Sequence, residues 1–494
     1  MKKIIFILSA IIMMVSGVSS QNVDDALRYS QLFYGGTARF QSMGGAFTAL
    51  GGDLSTLSQN PAGLGLFRSS EITFSPQLYH IKTSASFNGT STDYLYNFNL
   101  SQAGIAWKII SNNNTSGLIT LNFGYSYNRT NNLNSSTRIE GIETRSSLAD
   151  YWADLSDGTY YSDLGGAEGI AYDAWVIDTI TGTGPGYLYG TVFSNYGDNP
   201  PSVYGQNIRR IITNEGFTGE HAISIGGNFS NKIYFGATLG ISRLNYIGHY
   251  EHLESASYSL ASGFENFTFT DHYENNGTGF NLKIGTIIKP VESLRIGLAF
   301  HSPTLYKINE YFYENINSNF EGDDHYDFSN DPLRYSYALT TPFRAIGGVA
   351  FQLKKFALLS AEYEFVDYGS SRFSETGDGY DYSGKNMEIK NTLKSTGNLR
   401  MGGEFRLNKF YFRTGYGYYG KAFTSGEDNA NMDHQSVSFG AGFREQNLSV
   451  DFGFTSLSNP QKYILYTSSA GNAIADLNTT RNIFTVTFGY KFGY

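Results

Sequence analysis

The chain has 494 residues, a formal net charge of −9 and no cysteine, and it is rich in glycine, tyrosine and phenylalanine. The lack of cysteine excludes disulfide scaffolds and cysteine-based zinc or redox sites, and the acidic balance without a basic block disfavours nucleic-acid binding. Abundant aromatic residues argue against disorder, and no apolar run after residue 20 is long enough for a spanning helix. An all-β protein remains, either soluble or spanning a membrane with strands in which alternate residues are apolar.

The first twenty residues predict a secretory signal peptide. Lys2 and Lys3 form a short basic start, an apolar stretch follows over residues 4–15, and Val18-Ser19-Ser20 supplies small residues for cleavage. This stretch is too short and wrongly flanked for a spanning helix. We therefore expect residues 1–20 to be removed and the mature chain to leave the cytoplasm.

Residues 21–70 form a segment with a different character. They are small, apolar and turn-rich, with glycines that tolerate unusual backbone angles at close intervals. A segment of this length is too short for a core of its own, so we expect a surrounding wall, which the interior of a barrel would supply. Its candidate functional residues are Gly44, Gly45, Phe47, Asp53, Asn60, Pro61, Ala62 and Gly63.

From residue 71 onward the sequence alternates with a period of two, as strands do. In the last segment one face carries Phe484, Val486, Phe488, Tyr490 and Phe492. The opposite face carries small residues and isolated charges, whereas the polar face of a soluble sandwich is usually exposed and rich in lysine and glutamate. This pattern favours a lipid-facing outer surface with aromatic girdles around a polar interior.

The spacing of turns predicts fourteen antiparallel strands over residues 71–494. Six short turns, at 112–114, 230–231, 289–292, 354, 408 and 446, alternate with seven longer polar stretches. Those stretches are 84–92, 131–216, 253–264, 316–331, 373–390, 425–431 and 466–477. Short turns on one side and long loops on the other are typical of barrels in the outer membrane of Gram-negative bacteria. We expect a monomer in contact with outer-membrane lipids.

The longest predicted loop, 131–216, is unusually aromatic and contains Tyr151, Trp152, Tyr172 and Trp175. These rings would form an outer capture surface for apolar ligands, or they would bury one another as the loop folds over the barrel mouth. At the other end of the chain, Tyr490, Phe492 and Tyr494 alternate to the last residue. That ending resembles the signal recognised by the outer-membrane barrel assembly machinery.

The segment GTARFQSMGGAFTALGGDLSTLSQNPAGL, residues 36–64, resembles the N-terminal hatch of the FadL/TodX family of outer-membrane transporters for long-chain fatty acids and other hydrophobic molecules. The family pattern is a stretch rich in glycine and alanine, then an acidic residue, here Asp53, then Asn60-Pro61-Ala62. LRIGLAFHSPTLYKI, STGNLRMGGEFRL, YFRTGYGYY and HQSVSFGAGFREQNLSVDFGF resemble later strands of that family. The resemblance implies a hatch that plugs the barrel, ligand capture at the outer face and exit through a lateral opening in the wall.

Other motifs predict no catalytic, metal or cofactor site. The sequence from Gly415 to Gly420 matches a nucleotide-binding glycine pattern but lies within a strand, where its glycines would face the plug. His249 and His252 lack the further ligands that a metal needs, and we expect them in a solvated loop. Charges on the inferred inner faces predict ion pairs between wall and plug: Glu362, Glu364, Glu404 and Asp451 with Arg295, Arg344, Arg400, Arg406, Arg413 and Arg444.

The leading hypothesis is an outer-membrane channel that takes up hydrophobic small molecules, such as long-chain fatty acids or other lipids, by passive diffusion past the hatch. No nucleotide loop or other energy source is evident in the sequence. Three alternatives stay open: a docking or shuttle component of a protein secretion system, like the PorV-type barrels that share the hatch motif; a haem or ligand receptor at the cell surface; and an outer-membrane hydrolase.

Overall fold

A computed structural model describes residues 22–111, 116–180, 187–193, 204–260, 262–377 and 379–493. The predicted signal peptide, the turn at 112–114 and Tyr494 lie outside these residues.

Fourteen antiparallel strands form a closed wall, as the sequence predicts. Each strand pairs with the next, and β1 pairs with β14, from Ser70 opposite Phe492 to Ser86 opposite Asp476. The strands are β1 (Ser70–Ser86), β2 (Thr90–Ser111), β3 (Leu118–Asn132 and Ser135–Glu143), β4 (Gln206–Phe229), β5 (Ile233–Ser255), β6 (Phe264–Val291), β7 (Leu294–His301 and Leu305–Phe320), β8 (Asp324–Ser329, Leu333–Thr340 and Arg344–Leu353), β9 (Ala357–Asp367 and Arg372–Glu375), β10 (Ser395–Leu407), β11 (Phe410–Tyr419), β12 (His434–Glu445), β13 (Leu448–Ser468) and β14 (Gly471–Phe492).

The period of two in the sequence separates the two faces of this wall. Leu78, Phe98 and Phe484 are paired on neighbouring strands and all point outward, exposed. The inward residues beside them, Gln77 and Thr485, are buried and joined by a hydrogen bond of 3.0 Å. The predicted apolar exterior and polar interior are therefore present.

Tight turns close one edge of the wall. Ser230, Asn231, Lys354, Asn408 and Gln446 have positive φ angles of 57°, 56°, 51°, 56° and 48°. Such left-handed residues allow a strand to reverse within two or three residues. These four turns lie where the sequence predicts them.

At the opposite edge the strands are longer than the sequence suggests. The expected loop 131–216 contains the second part of β3, Ser135–Glu143, and the start of β4, which pair with each other. The expected loops 316–331 and 466–477 likewise consist largely of paired strand. Beyond the lipid the outer face need not be apolar, so the alternation disappears from the sequence while the backbone pairing continues.

Short helices occupy the inside and the outer end of the barrel. Inside lie α1 (Val23–Ser30), α2 (Ala38–Ser42) and two 3₁₀ turns, Leu54–Ser58 and Pro61–Leu66. The connection between β3 and β4 carries α3 (Leu148–Ser156), a 3₁₀ turn (Tyr161–Asp163), α4 (Gly166–Asp173) and a small ribbon of Ile177–Thr179 and Tyr189–Thr191. A further 3₁₀ turn, Tyr368–Ser370, interrupts β9, and α5 (Ser383–Thr392) precedes β10. None of the described helices is long and apolar enough to cross a membrane.

Candidate functional site

The N-terminal segment, residues 22–69, touches the inner face of the wall without intervening side chains. A Cβ atom added to Gly415 on β11 would lie 2.1 Å from the backbone nitrogen of Gly44. One added to Gly236 on β5 would lie 2.3 Å from the carbonyl oxygen of Pro61. The wall therefore uses glycine where the segment packs against it. The prediction that the glycines of residues 415–420 face the plug is confirmed for Gly415 and wrong for Gly417 and Gly420, where an added Cβ would meet Ser436 and Thr396 of the wall.

Asn60 ties the segment to the wall. Its Nδ2 donates to the carbonyl oxygen of Thr48 at 2.6 Å and to that of Thr286 on β6 at 3.2 Å. Its Oδ1 accepts from the backbone N–H of Ala62 at 3.1 Å, which caps the following 3₁₀ turn. Gly285 leaves room for this side chain, since a Cβ there would come within 1.9 Å of the Asn60 Oδ1. One side chain thus organises both the turn and its contact with the wall.

The rest of the Asn-Pro-Ala-Gly motif packs behind Asn60. Pro61 opens the 3₁₀ turn at its first position, where its missing N–H is not needed. Ala62 is buried against Tyr234 of β5. The carbonyl oxygen of Gly63 accepts from the N–H of Gly52 at 3.1 Å. The motif therefore joins the end of the N-terminal segment, at Gly63, to the middle of the same segment, at Gly52.

Asp53 and the paired glycines shape the centre of the segment. Asp53 accepts from the N–H of Ser55 at 2.9 Å and from the hydroxyl of Thr37 at 2.6 Å, so it joins the first 3₁₀ turn to α2. Gly44 and Gly45 have φ angles of +64° and +75°, a conformation that favours glycine. Any other residue at these two positions would strain the turn after α2.

Buried charges link the segment to β9 and β10. The Arg400 guanidinium lies 2.7 Å from Glu362 and 2.9 Å from Glu364. Glu362 also accepts from the N–H of Thr48 at 3.0 Å and from the Gln59 side chain at 2.8 Å. The two glutamates therefore have the ion pairs that burial requires. These pairs join two strands of the wall and not wall and plug as predicted, and only the hydrogen bonds of Glu362 reach the segment.

A second charge network lies beneath Phe47. Arg39 of α2 sits over the Phe47 ring at 5.1 Å and pairs with Glu404 on β10 at 3.0 Å. Arg413 on β11 also pairs with Glu404, at 2.7 Å, and with Asp451 at 2.7 Å. Of the other predicted arginines, Arg344 pairs with Glu364, whereas Arg295, Arg406 and Arg444 make no ion pair among the described residues.

Two cavities lie above and beside the segment. The outer one, a vestibule of about 710 Å³, is lined by α1, the outer ends of the strands and the cap formed by α3 and α4. The inner one, of about 60 Å³, lies against α2 and is lined by aromatic rings together with polar groups. Phe33, Asn131, Asn132 and Arg481 line both cavities and so form the constriction between them.

Arg481 is the charged group of this constriction. It lies on the inner face of β14, opposite Ile81 and Leu457. It makes no ion pair among the described residues, and its Nε is buried without a hydrogen-bond partner there. A buried guanidinium nitrogen without an acceptor is costly. An acceptor group on a molecule passing between the two cavities would satisfy it.

The wall is incomplete beside the inner cavity. Strands β2 and β3 pair from Ser111 opposite Thr120 to Gln102 opposite Asn128. Within the described residues, the backbone of the rest of β2, Thr90–Ser101, pairs only with β1. Only side-chain hydrogen bonds join this stretch to β3, such as those from Asn132 to Asn97 at 3.2 Å and from Ser136 to Asp93 at 2.5 Å. Phe98, which is 74% exposed, lies on the outer face of this unpaired stretch. The gap between β2 and β3 therefore starts at the level of the lipid-facing band.

The N-terminal segment closes this gap from inside. The N–H of Phe33 donates to the carbonyl oxygen of Thr130 at 2.8 Å, and the N–H of Gly35 donates to that of Arg129 at 2.8 Å. On the β2 side, the N–H of Gly36 donates to the Ser101 hydroxyl at 2.8 Å. Residues 33–36, which we call the seal, thus replace the missing strand pairing at the foot of the gap.

The aromatic residues of the predicted capture surface separate into two groups. Trp152 on α3 is 1% exposed and packs against Phe267 and Phe269, and together with its neighbour Tyr151 it lines the vestibule. Tyr172 and Trp175 lie farther out, where Tyr172 belongs to a group of stacked tyrosines and Trp175 is half exposed. The four side chains do not form one surface.

The cap is held on the strands by a buried polar network that the sequence analysis did not anticipate. Glu254 accepts from the hydroxyl of Ser147 at 2.7 Å and from the N–H of Leu148 at 2.8 Å, at the start of α3. His252 lies 2.9 Å from the same carboxylate. Both residues lie within β5 and are fully buried, so the expectation of a solvated loop at 249–254 is wrong. The polar loop of the cap shields them from water.

Asp150 completes the N-terminal capping box of α3. Its Oδ2 accepts from the N–H of Ser147 at 2.7 Å and from the hydroxyl of Tyr204 at 2.8 Å. Burial under the cap raises the pKa of Asp150 from 3.8 to about 6, against the opposing effect of these hydrogen bonds.

At the C-terminal end, Tyr490 is exposed on the outer face of β14 and stacks on Phe492 with ring centroids 6.3 Å apart. Their role as an assembly signal stays a prediction.

The sequence and the fold of this chain are similar to those of known outer-membrane proteins. The family model described as outer membrane protein transport protein (OMPP1/FadL/TodX) matches residues 222–492. A FadL homologue from Pseudomonas aeruginosa has a similar structure, with a TM-score of 0.56 at 13% identity, over 94% of this chain and 100% of that one. The toluene transporter TodX of Pseudomonas putida matches with a TM-score of 0.51 at 11% identity, over 93% of this chain and 99% of that one. No curated protein sequence is significantly similar to this chain.

The two solved structures agree with the closed barrel and with the helical N-terminal segment inside it. The family match covers more than half of the chain, from within β4 to the end of β14. The chain therefore belongs to the OMPP1/FadL/TodX family, and it is an outer-membrane transport barrel for hydrophobic compounds and not an enzyme.

Proposed function

We propose that this barrel takes up long-chain fatty acids or similar acidic amphiphiles by passive diffusion. The ligand enters the vestibule, passes the constriction into the inner cavity and leaves sideways between β2 and β3. The observation that carries the proposal is the unpaired edge of β2 beside the inner cavity, because it offers an exit at the level of the lipid.

Arg481 supports an acidic head group on the ligand. This guanidinium has no carboxylate partner among the described residues, and it lies where every molecule moving between the two cavities must pass. The rings of Phe33, Tyr34 and Tyr79 provide an apolar surface around the same space. Burial of an alkyl chain there is worth about 0.8 kcal/mol per methylene. A carboxylate on an apolar body satisfies both features, whereas toluene satisfies only the second.

In this conformation the path is closed. The inner cavity of about 60 Å³ is far smaller than a fatty acid, and the seal occupies the foot of the gap. Transport therefore requires the seal to leave the edge of β3. Asn60, Pro61, Ala62 and Gly63 anchor the other end of the segment, so we propose that the 21–70 segment acts as a hatch that moves at its seal and stays fixed at Asn60.

A reversible lock tests this movement. A Cβ added to Gly35 would lie 3.5 Å from the Cβ of Arg129, within the range that a disulfide bridges. Because the natural chain has no cysteine, Gly35→Cys together with Arg129→Cys can form only this one bond within the molecule. We expect oxidation to lower oleate uptake into vesicles at least about tenfold, and reduction of the same preparation to restore it.

The new Cβ at position 35 would also lie 2.8 Å from the Arg129 carbonyl oxygen, so the reduced double variant and Gly35→Cys alone are the controls for folding. Equal uptake by the oxidised and reduced forms would contradict the lateral exit. No uptake by the wild-type chain in the same vesicles would instead favour the docking function of the PorV-type barrels.

A further inference from the structure

Basic side chains share one register row on the outward face of the wall, and none of them lines either cavity. Arg243 on β5 lies opposite Thr278 on β6, and Lys307 on β7 lies opposite the same threonine from the other side. Arg129 on β3 continues the row, with Gly219 of β4 between it and Arg243. We call Arg129, Arg243 and Lys307 the basic row.

The alternation of burial shows that Arg243 and Lys307 point outward. Both are exposed, and the Arg243 guanidinium donates to the Thr278 hydroxyl at 2.7 Å on the same outer face. Their neighbours along the strands point inward and are buried: Ser242, Leu244, Tyr306 and Ile308. Three of these four neighbours pack in one cluster with Tyr29 of α1, inside the barrel. The two cations therefore lie on the side of the wall that faces the membrane.

The basic row lies where the apolar band of the outward face ends. One row closer to the short turns, Phe280 and Leu305 are paired with each other and are 53% and 60% exposed. On β5 the apolar outward positions run from Ile233, beside the tight turn, to Ile241. At about 3.3 Å per residue and a tilt of about 40°, this band is about 20 Å tall, close to the about 25 Å typical of such barrels. The basic row is therefore at the level of the head groups of the outer leaflet.

Side-chain amides form the next outward row beyond the cations. Asn276 on β6 lies between Asn245 on β5 and Asn309 on β7 in the strand register. Asn245 donates to the Asn276 side chain at 2.8 Å, and the hydroxyl of Ser336 on β8 donates to Asn309 at 2.7 Å. Asn276 and Asn309 are exposed. Amides that face outward at this level are suited to bind hydroxyl groups.

No carboxylate neutralises the cations of this row. Arg243 and Lys307 make no ion pair among the described residues. Along β4 to β7 the first outward carboxylates beyond the row are Glu215 and Glu274, each four residues farther out. Four residues correspond to about 13 Å along a strand. The row thus stays positive in a chain whose net charge is −9.

We propose that the basic row binds the phosphate groups of lipopolysaccharide, the phosphorylated glycolipid of the outer leaflet. Arg243 and Lys307 are two strands apart, about 10 Å, so each can bind a separate phosphate. Arginine can bind phosphate through two parallel hydrogen bonds. The acyl chains then lie along Phe280 and Leu305, and the sugar hydroxyls meet the amides of the next row. A phospholipid supplies acyl chains and a phosphate but lacks the sugar for these amides.

Lipid binding in micelles of an uncharged detergent tests this proposal. Fluorescently labelled lipopolysaccharide, consisting of lipid A and the inner-core sugars, is titrated into the full-length barrel before and after chemical removal of its phosphates. We expect the phosphorylated form to bind at least about tenfold more tightly. Arg243→Gln/Lys307→Gln should lose at least about tenfold of that affinity, since each cation near an anionic lipid surface contributes about fivefold. Its binding of the dephosphorylated form should stay unchanged. Arg129 is kept because it borders the gap between β2 and β3.

The matched control, Lys354→Gln/Lys355→Gln, removes two exposed cations from the turn between β8 and β9 at the opposite edge of the wall. It should bind lipopolysaccharide as the wild type does, and heat-modifiable migration on gels checks that both variants are folded. Equal binding of the two lipopolysaccharide forms by the wild type, or equal losses in the two variants, overturns the proposal. An equimolar amount of phosphatidylglycerol should not displace the bound lipopolysaccharide. Its displacement would mean that the row selects a phosphate without the sugar, which contradicts a glycolipid site.

Discussion

Arg481 is the residue on which ligand selection depends in the proposed path. Arg481→Gln keeps a polar side chain of similar reach but removes the charge. A hydrogen bond to a charged group contributes about 1.5–3 kcal/mol, so we expect uptake of oleate at low concentration to fall about tenfold or more. Uptake of the uncharged alcohol of the same chain length should change little. Vesicle uptake assays with the two labelled ligands measure this difference.

Arg138→Gln is the matched control, because Arg138 is exposed at the outer end of β3 and lines neither cavity. An equal loss for acid and alcohol would mean that Arg481 only maintains the constriction. An unchanged uptake of both would remove it from the path.

The hydrogen bonds of a single residue could be predicted from the sequence where its partners are close to it along the chain. Asn60 next to Pro61 predicts a side chain that bonds to nearby backbone, and it does so at Ala62 and Thr48. The alternation of β14 also places Arg481 on the inner face. The sequence does not predict that Arg481 lacks a carboxylate partner among the described residues, because that depends on which residues of β1 and β13 lie beside it.

At the scale of single elements, glycine at the contact between wall and hatch should be needed for packing. Gly415→Ala would place a Cβ 2.1 Å from the Gly44 nitrogen. Overpacking of this kind costs about 1–3 kcal/mol, so the temperature at which the folded band disappears in heat-modifiable gel migration should fall. Gly403→Ala is the control: its Cβ would meet no atom closer than Leu359 at 3.4 Å, which is an ordinary van der Waals contact. Equal effects of both changes would contradict direct contact between Gly415 and the hatch.

The cap should loosen as the pH rises. Asp150 has a pKa of about 6 in the folded cap and 3.8 as its ordinary value. Because the pKa of Asp150 is higher in the folded cap than in the open one, protonated Asp150 stabilises the folded cap fully below pH 3.8. This stabilisation is lost as the pH rises through about 6. The difference corresponds to about 3 kcal/mol. Amide hydrogen exchange in α3, corrected for its intrinsic pH dependence, should therefore show more opening at pH 7 than at pH 4.5.

In Asp150→Asn the same contacts with Ser147 and Tyr204 remain possible without a titrating group. The opening of its α3 should depend less on pH between 4.5 and 7, and the dependence that remains is that of Glu254, which contacts the start of α3 beneath the cap and whose pKa burial raises to about 7. If this variant keeps the wild-type pH dependence, another group in the cap governs it.

Strands and turns could be predicted from the sequence in the lipid-facing part of the barrel but not beyond it. The lipid bilayer requires apolar side chains at alternate positions, and the sequence therefore predicts the outward face that carries Phe484 and Phe488. The turns at Asn408 and Gln446 lie where this alternation is interrupted. Beyond the bilayer the outer face need not be apolar and the alternation is lost. Ser135–Glu143 therefore resembles a loop in sequence although it pairs with β4. His252 resembles a surface residue for the same reason, because only the folded cap buries it.

For the whole molecule, the cap should be separable from the barrel. Glu143 and Gln206 are partners in the β3–β4 ladder, so replacing residues 144–205 by Asn-Gly gives a direct hairpin. We expect the barrel to fold, because the wall pairs without the cap, and oleate uptake to fall at low ligand concentration, because Tyr151, Trp152, Tyr172 and Trp175 are lost. Uptake at saturating ligand in the same variant is the internal control. Unchanged uptake at both concentrations would show that these rings only pack the cap.

The glycine contacts between wall and hatch also constrain the order in which the molecule assembles. β1 follows the hatch directly in the chain, and its partner β14 ends at Phe492, so the pairing that closes the wall joins the most distant parts of the sequence. Such a contact has the largest loop-closure entropy to overcome and forms late. At Gly415 and Gly236 the backbone of the hatch touches the wall directly, so a hatch that entered a finished barrel would have to fit against a wall that is already fixed. We therefore expect the hatch to be enclosed as the barrel closes, which leaves little opportunity to correct a misfolded hatch afterwards.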